Sequence, residues 1–530
     1  MDKAIDRKYL IAILFVLSFI LYARTLNYGF VWDDERIHLT NNQQLMNDDI
    51  KSFWTQSYSG MYIPITYTTW TFVKNVSIRS KELSPKLFHL LNVVTHSING
   101  VLIFLLLSIL FRSRTQAFWG SMFFLMHPLQ VESVAWISEF RGLCSVFFSL
   151  LSLISIFRYL EKNTVVTFRS FVFSKQFIIT SILFVLALLS KPSAVVLPFI
   201  AIVFVWCFYR EHFKYISKGL SVWLLFVIPV LLITKYSQTN EFIYASISFW
   251  QRFFIAGNSL FFYLCKLIFP YPLAACYGYT PELITSNNFI YFSTFFCCVL
   301  AIILFIKRKS NPILFSSFAI ITISVLPILG LISFEYQKHS TVADHYMYLG
   351  ILGAVLLIPL IAESIKKHSY LKCISVGVLI VYLVLNIQQT STWKNEFTVW
   401  DNTLVHYQNS PNVYYNRGVE YSKMGNFGAA INDYSQCLLL QKNYRDALFN
   451  RANAYENLNN ISGAFADYNT YLSIDSTDGS VYYKRAYLNY KTGNINGAIT
   501  DVEKAERLGF FVGSKFKKVL NNARIKQFSY

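Results

Sequence analysis

The chain has 530 residues, of which 54% are hydrophobic and only 14% charged, and its mean hydropathy is +0.39. Those values exclude a disordered chain and an ordinary soluble domain, and they point to an integral membrane protein with room for a second domain. The net charge of +18 does not mark a nucleic-acid partner, because the Lys and Arg residues sit in short clusters between apolar runs, with no basic stripe interleaved with aromatics.

The first apolar run, Tyr9 to Leu21, follows Lys3, Arg7 and Lys8. No small-residue cleavage site comes after it, which predicts an uncleaved span with its N-terminus in the cytoplasm. Directly beyond it lies GFVWDDERIHLTNN, Gly29 to Asn42, with Asp33 and Asp34 side by side at a membrane boundary. On to Gln388 the chain holds about twelve apolar segments, several shorter than the roughly 20 residues of a straight span, so some are expected to be broken or tilted. If the segment near 252–269 does not cross, the basic loops Arg112/Arg114, Arg158 to Lys175, Arg210 to Lys218, Lys307–Lys309 and Lys366–Lys372 all fall inside. That topology, about eleven spans, satisfies the positive-inside rule. It places the loop 25–86, HPLQVES from His127, the SKP turn Ser190–Pro192, FPYPLAACYGYT and EYQKHSTVADHY on the outer face. None of the eight cysteines forms a C-x-x-C pair, so neither a zinc site nor a disulfide framework is indicated.

After Trp393 the chain becomes polar and repeats with period 34. Arg417, Arg451 and Arg485 keep that step, as do Ala430, Ala464 and Ala498, and Asp433, Asp467 and Asp501. Gly425 and Gly493 fall at the turn, with Asn459 between them. This is the signature of tetratricopeptide repeats. Trp400, one period before Tyr434, marks a degenerate half-repeat. The expected division is a membrane domain at 1–391 and a repeat domain of about three repeats at 392–530.

The predicted outer face gathers two acids, Asp33 and Asp34, then His127 with Glu132, and the cations Arg141, Lys191 and His345. Ionisable groups at a membrane boundary are costly unless paired, hydrated or used. Transfer of a sugar from a lipid phosphate to a hydroxyl needs both signs there. A carboxylate takes the hydroxyl proton, and cations receive the departing phosphate. Duller readings stand beside this one. His127 ahead of Pro128 also reads as a helix end, and Glu132, Trp136 and Glu139 at i, i+4, i+7 as a hydrated groove wall. Lys191 also reads as a snorkelling lysine, and His89, Asn92 and His96 as interhelical hydrogen-bonding groups.

The strings WDDERI, FHLLNVVTHSINGVLIFLL, HPLQVESVAWISEFRGLCSVFFSLLSL, LSKPSAVVLPF and VADHYMYLGILG resemble, in this order, the transmembrane and tetratricopeptide-repeat (TMTC-like) glycosyltransferases. These are relatives of the protein O-mannosyltransferases with the C-type (GT-C) fold. The resemblance implies an all-α architecture, a polytopic GT-C helical bundle followed by a repeat solenoid. It also implies a polyprenyl-phosphate sugar donor, mannose or another hexose, and a protein Ser/Thr acceptor. In that family the first acid of the pair is the catalytic one, here Asp33, supported by Asp34. Arg141, Lys191 and His345 would hold the donor phosphate, with His127 and Glu132 shaping the site. No cofactor is expected in the mannosyltransferase branch; its oligosaccharyltransferase cousins use a divalent ion, so a metal near Asp33 stays open. Where relatives carry basic residues this chain has Ile63 and Phe140, and it has His345 where they read ADRY, all reducing fixed positive charge. The few repeats suggest a prokaryotic inner or plasma membrane protein, with the site and repeats on the periplasmic or extracellular face. The repeats would present a concave surface to a polypeptide acceptor or partner. A glycan or lipid acceptor, and a non-catalytic membrane scaffold, stay open as alternatives.

Overall fold

The computed structural model describes residues 6–77, 83–237, 247–332, 334–368 and 370–528. Lys3, the part of the acidic loop at 78–82 and the side chains of Lys366 and Lys367 lie outside the described residues. The chain divides into two compact units, Met1–His406 and Tyr407–Tyr530. Among the described residues regular structure is helical throughout, apart from one isolated antiparallel bridge, Tyr58 to Met61.

Among the described residues of the first unit six helical runs are long and apolar enough to cross a membrane: Arg7–Asn27, Pro85–Phe111, Ile137–Lys162, Arg210–Ser237, Phe289–Lys309 and Tyr370–Thr392. Four shorter apolar runs accompany them, Lys175–Ser190, Pro192–Phe208, Pro312–Ile328 and Ile351–Ile365. Proline and short 3-10 turns break several of the shorter segments, as the expectation of broken or tilted spans has it. The stretch after Ala343 shows this: a 3-10 turn at Asp344–Met347, a short helix Ile351–Val355, then Ile358–Lys367 with Pro359 in its first turn. The helix Phe249–Ile268 is not among the apolar runs; it carries Arg252 and Lys266 and starts with a Ser248–Gln251 capping box.

Pro85–Phe111 and Ile137–Lys162 are the most buried of the long runs and form the centre of the bundle. Side-chain hydrogen bonds tie neighbours to them, since apolar packing alone gains little between helices in lipid. Asn99 Nδ2 donates to the Leu143 carbonyl at 3.0 Å and to Tyr348 Oη at 3.1 Å. Asn92 Nδ2 donates to the carbonyls of Val134 and Trp136 at 3.3 and 3.0 Å, and His96 Nδ1 meets Tyr348 Oη at 2.9 Å. Tyr370–Thr392 instead exposes Ile374, Val376, Ile380, Val381 and Val384, a face suited to lipid.

The helix Glu396–His406 belongs to the first unit, so the boundary falls later than the expected 391/392. The Trp400 ring lies against Trp32, 5.3 Å between centroids.

The second unit is built from helix pairs in the predicted phase: Pro411–Lys423 with Phe427–Leu440, Arg445–Asn457 with Ile461–Ile474, and Gly479–Lys491 with Ile495–Arg507. At each intervening turn one residue has a left-handed backbone, Gly425 (φ 75°), Asn459 (φ 55°) and Gly493 (φ 81°), the conformation that glycine and asparagine adopt most readily. Asn426, Asn460 and Asn494 follow as N-caps, each accepting a backbone N–H at 3.0–3.2 Å. The phased Arg and Asp residues pair within each repeat. Arg417 with Asp433, Arg451 with Asp467 and Arg485 with Asp501 are bidentate, at 2.6–2.9 Å. Ala430, Ala464 and Ala498 are fully buried where the paired helices approach.

Candidate active site

The acidic pair sits where the loop after the first span turns into a single π-helical turn, Asp34–His38. The two carboxylates face different surroundings. Asp34 is fully buried. Its Oδ1 accepts from the Ser138 N–H at 2.8 Å and from Ser138 Oγ at 2.5 Å, and its Oδ2 accepts from the Val31 N–H at 3.1 Å. Burial pushes its acid up to about 7, against the lowering effect of those bonds. Three donors satisfied by one side chain make Asp34 the anchor that ties the acidic loop to the bundle. Asp34→Ala is therefore expected to lower the melting temperature clearly, since it leaves buried donors unpaired at roughly 1–3 kcal/mol each. An unchanged thermal unfolding profile in detergent would remove that anchoring role.

Asp33 as a whole residue is only partly buried. Burial pushes its acid up to about 6, while the nearby guanidinium groups of Arg141 and Arg36 pull it down and Glu335 adds a small upward push. The carboxylate thus lies in reach of cations and is a better base than an ordinary aspartate.

Arg141 and Lys191 meet at Glu139. Its Oε1 accepts from Arg141 Nε at 2.8 Å and its Oε2 from Lys191 Nζ at 2.7 Å. Glu139 is fully buried, whereas the two cations remain 13% and 17% exposed, so the carboxylate anchors them from beneath and leaves part of each open. One negative charge between two positive ones gives this group a net positive charge. Gly142 permits the arrangement: a Cβ there would lie 2.8 Å from Glu139 Oε2 and 3.4 Å from Lys191 Nζ. Lys191 is held extended (φ −154°, ψ 121°) by the proline that follows it. Arg141 Nη1 also points to Met61 Sδ at 3.0 Å.

His345 lies between two acids. Its Nδ1 is 3.0 Å from Glu132 Oε1, its backbone N–H donates to Glu132 Oε2 at 3.0 Å, and its Nε2 is 3.9 Å from Glu139 Oε1. Burial pushes the imidazole down to about 3 and raises the Glu132 acid well above its usual range. Burial thus works against the charged form of both groups. His127 is elsewhere: Nδ1 accepts from the Leu129 N–H at 3.2 Å, and Nε2 donates to the Leu267 carbonyl at 3.1 Å. Both nitrogens serve backbone groups. Ile63 and Phe140, at two of the positions where fixed charge is missing, are buried apolar side chains, 2% and 3% exposed.

Glu139 is the residue that sequence reasoning placed only on a groove wall. The helical spacing of Glu132, Trp136 and Glu139 is not continuous helix. Val131–Ala135 ends at Trp136 (ψ 117°) and a 3-10 turn, Ile137–Glu139, follows. That break lets both carboxylates reach His345. Two cations near a membrane boundary demanded a counter-ion, and Glu139 was the nearest acid to Arg141. Among the described residues, no group of three or more His, Cys, Asp or Glu is arranged to hold a metal ion.

Tetratricopeptide-repeat family profiles match residues 411–444 and 446–478. Over 82% of its length the chain is 23% identical to Protein O-mannosyl-transferase F38B6.6 of Caenorhabditis elegans, covering 63% of that protein. It is 23% identical to Protein O-mannosyl-transferase TMTC3 of Mus musculus over 79% of this chain and 50% of that one. With Protein O-mannosyl-transferase Tmtc1 of Drosophila melanogaster it shares 28% identity over 34% of this chain and 20% of that one. The chain therefore spans less than two thirds of the length of each of these relatives. Among solved structures, the APC/C hetero-tetramer Cut9–Hcn1 aligns at 14% identity over 94% of this chain and 96% of that one, with a TM-score of 0.22, too low to bear on the fold.

Proposed function

We propose that this chain, an integral membrane TMTC-like relative of the protein O-mannosyl-transferases with C-terminal tetratricopeptide repeats, moves a hexose from a polyprenyl phosphate to a hydroxyl of a protein on the outer face of the membrane. The observation that carries this reading is Asp33 within the field of Arg141, a cation that shares one buried counter-ion, Glu139, with Lys191. Segments far apart in sequence supply these groups, and they match the charges that the reaction moves.

In the proposed step the acceptor oxygen bonds to the anomeric carbon while the bond from that carbon to the phosphate oxygen breaks. The hydroxyl proton goes to Asp33, and the electron pair of the broken bond leaves with the phosphate. The phosphate gains one negative charge, and its second pKa near 6 lets it depart without an acid if cations receive it. Lys191 and Arg141 supply that field, already gathered and partly dehydrated, so little reorganisation is needed as charge develops. Asp33 then returns its proton to water. The repeats would hold the polypeptide that carries the acceptor hydroxyl.

The pH dependence tests the base. Asp33 must be ionised to accept a proton, so kcat/KM is expected to fall on the acid side with a midpoint near 6, well above an ordinary aspartate at about 3.9. The rate of hexose transfer from a polyprenyl-phosphate sugar, followed by mass spectrometry, measures this. An acid limb near 4 would mean that the base is a solvated carboxylate elsewhere.

A further inference from the structure

Trp32, immediately before Asp33, has a left-handed backbone with φ 57°. A bulky residue keeps that conformation only when its surroundings hold it there. Here the hold is specific. The Trp32 N–H donates to Glu396 Oε1 at 2.7 Å. Its indole lies parallel to that of Trp136, 4.8 Å between centroids, and edge-on to Trp400 at 5.3 Å. The other carboxylate oxygen of Glu396 accepts from Trp400 Nε1 at 2.7 Å. One buried carboxylate, 8% exposed, therefore fixes both the turned peptide and one of the rings that clamp it. A second tie joins the same two segments, from the Gly29 N–H to the Lys394 carbonyl at 3.3 Å.

The turn at Trp32 precedes the point where the two acids part. Asp34 goes inward to Ser138, and Asp33 is left only partly buried. We propose that Glu396 is a positioning residue for Asp33, acting through the backbone and ring of Trp32. The proposal rests on the reading of Asp33 as the base. Glu396 lies just beyond the last long apolar run, at the start of the helix that leads to the repeats. The charged and titratable groups around Asp33 are Asp34, Arg36, Tyr67, Arg141, Glu335 and Lys338. The tie from Glu396 to this group runs through the Trp32 N–H and the Trp400 ring.

The test uses purified full-length protein with polyprenyl-phosphate mannose and a Ser/Thr-containing acceptor protein, comparing wild type with Glu396→Ala, Glu396→Gln and Asp33→Asn. Glu396→Ala is expected to lower kcat about 100-fold, the cost of misplacing a reacting group by about 1 Å, with KM for both substrates within about twofold. Its acid limb is expected to move from about 6 toward the ordinary value of about 3.9, as the turn relaxes and water reaches the carboxylate. Glu396→Gln keeps an acceptor for the Trp32 N–H and should show the same two changes in smaller measure. Unchanged kcat and an unmoved acid limb overturn the proposal, even if the variant is less stable. Should Glu396→Ala fail to fold, the same two readings on Glu396→Gln decide. Full activity in Asp33→Asn would instead overturn the base assignment, a distinct result.

Discussion

Asp33→Asn is expected to reduce sugar transfer by about 10²–10⁴-fold, the usual contribution of a positioned general base, and at the same time to stabilise the protein at neutral pH. The second effect follows from the sign of the shift. The folded-state acid is raised above its unfolded value, to about 6, so the folded protein binds more protons than the unfolded chain between about pH 4 and pH 6. Stability from this group is complete below that window and is lost as pH rises through it. At neutral pH the ionised carboxylate therefore works against folding, by on the order of 1–3 kcal/mol for a partly buried residue. Asparagine removes the charge and with it that cost. Activity down and melting temperature up is the pattern of a strained functional group. A structural carboxylate would show both falling together. Kinetics and thermal unfolding of the same preparation separate the two.

Glu139→Gln is the second large effect. The substitution leaves Arg141 and Lys191 without their common counter-ion, and an amide N–H₂ faces one of them. Removing one partner of a buried ion pair typically costs about 3–5 kcal/mol, so a marked fall in melting temperature is expected. Activity should fall as well, because cations that repel each other no longer converge on the leaving phosphate. The double variant Glu139→Gln/Lys191→Met discriminates between the two losses. Removing one cation should restore much of the stability and none of the donor binding, a coupling that a double-mutant cycle measures directly. If Glu139→Gln unfolds no earlier than wild type and transfers normally, the shared counter-ion is not what holds the cation pair.

The repeat unit was the easiest part to read, because period, turn residues and paired side chains are local. Arg451 and Asp467 lie 16 residues apart in one repeat, so a phased pattern already implies their contact. The membrane unit was harder. Apolar runs located its segments, but proline breaks and 3-10 turns, as around Asp344 and Pro359, do not show in a hydropathy count. In the site, the types of residue were readable and their partners were not. Glu139 lies two residues from Arg141 but 52 from Lys191, and Glu396 is 364 residues from the backbone it holds. His345 illustrates the same limit. Its position in VADHY suggested a cation, yet its charge depends on Glu132 beside it, 213 residues away. A side chain's protonation is set by what the fold brings against it, and no local spacing encodes that.

The most direct test of the central claim is hexose transfer itself. The purified protein in lipid would be incubated with polyprenyl-phosphate mannose and an acceptor protein, and the acceptor's intact mass recorded, with Asp33→Asn run in parallel. A mass gain of one hexose or more in the wild-type reaction, absent with Asp33→Asn, is the predicted result. Equal transfer by both proteins, or none by either when a related active enzyme transfers under the same conditions, would contradict it.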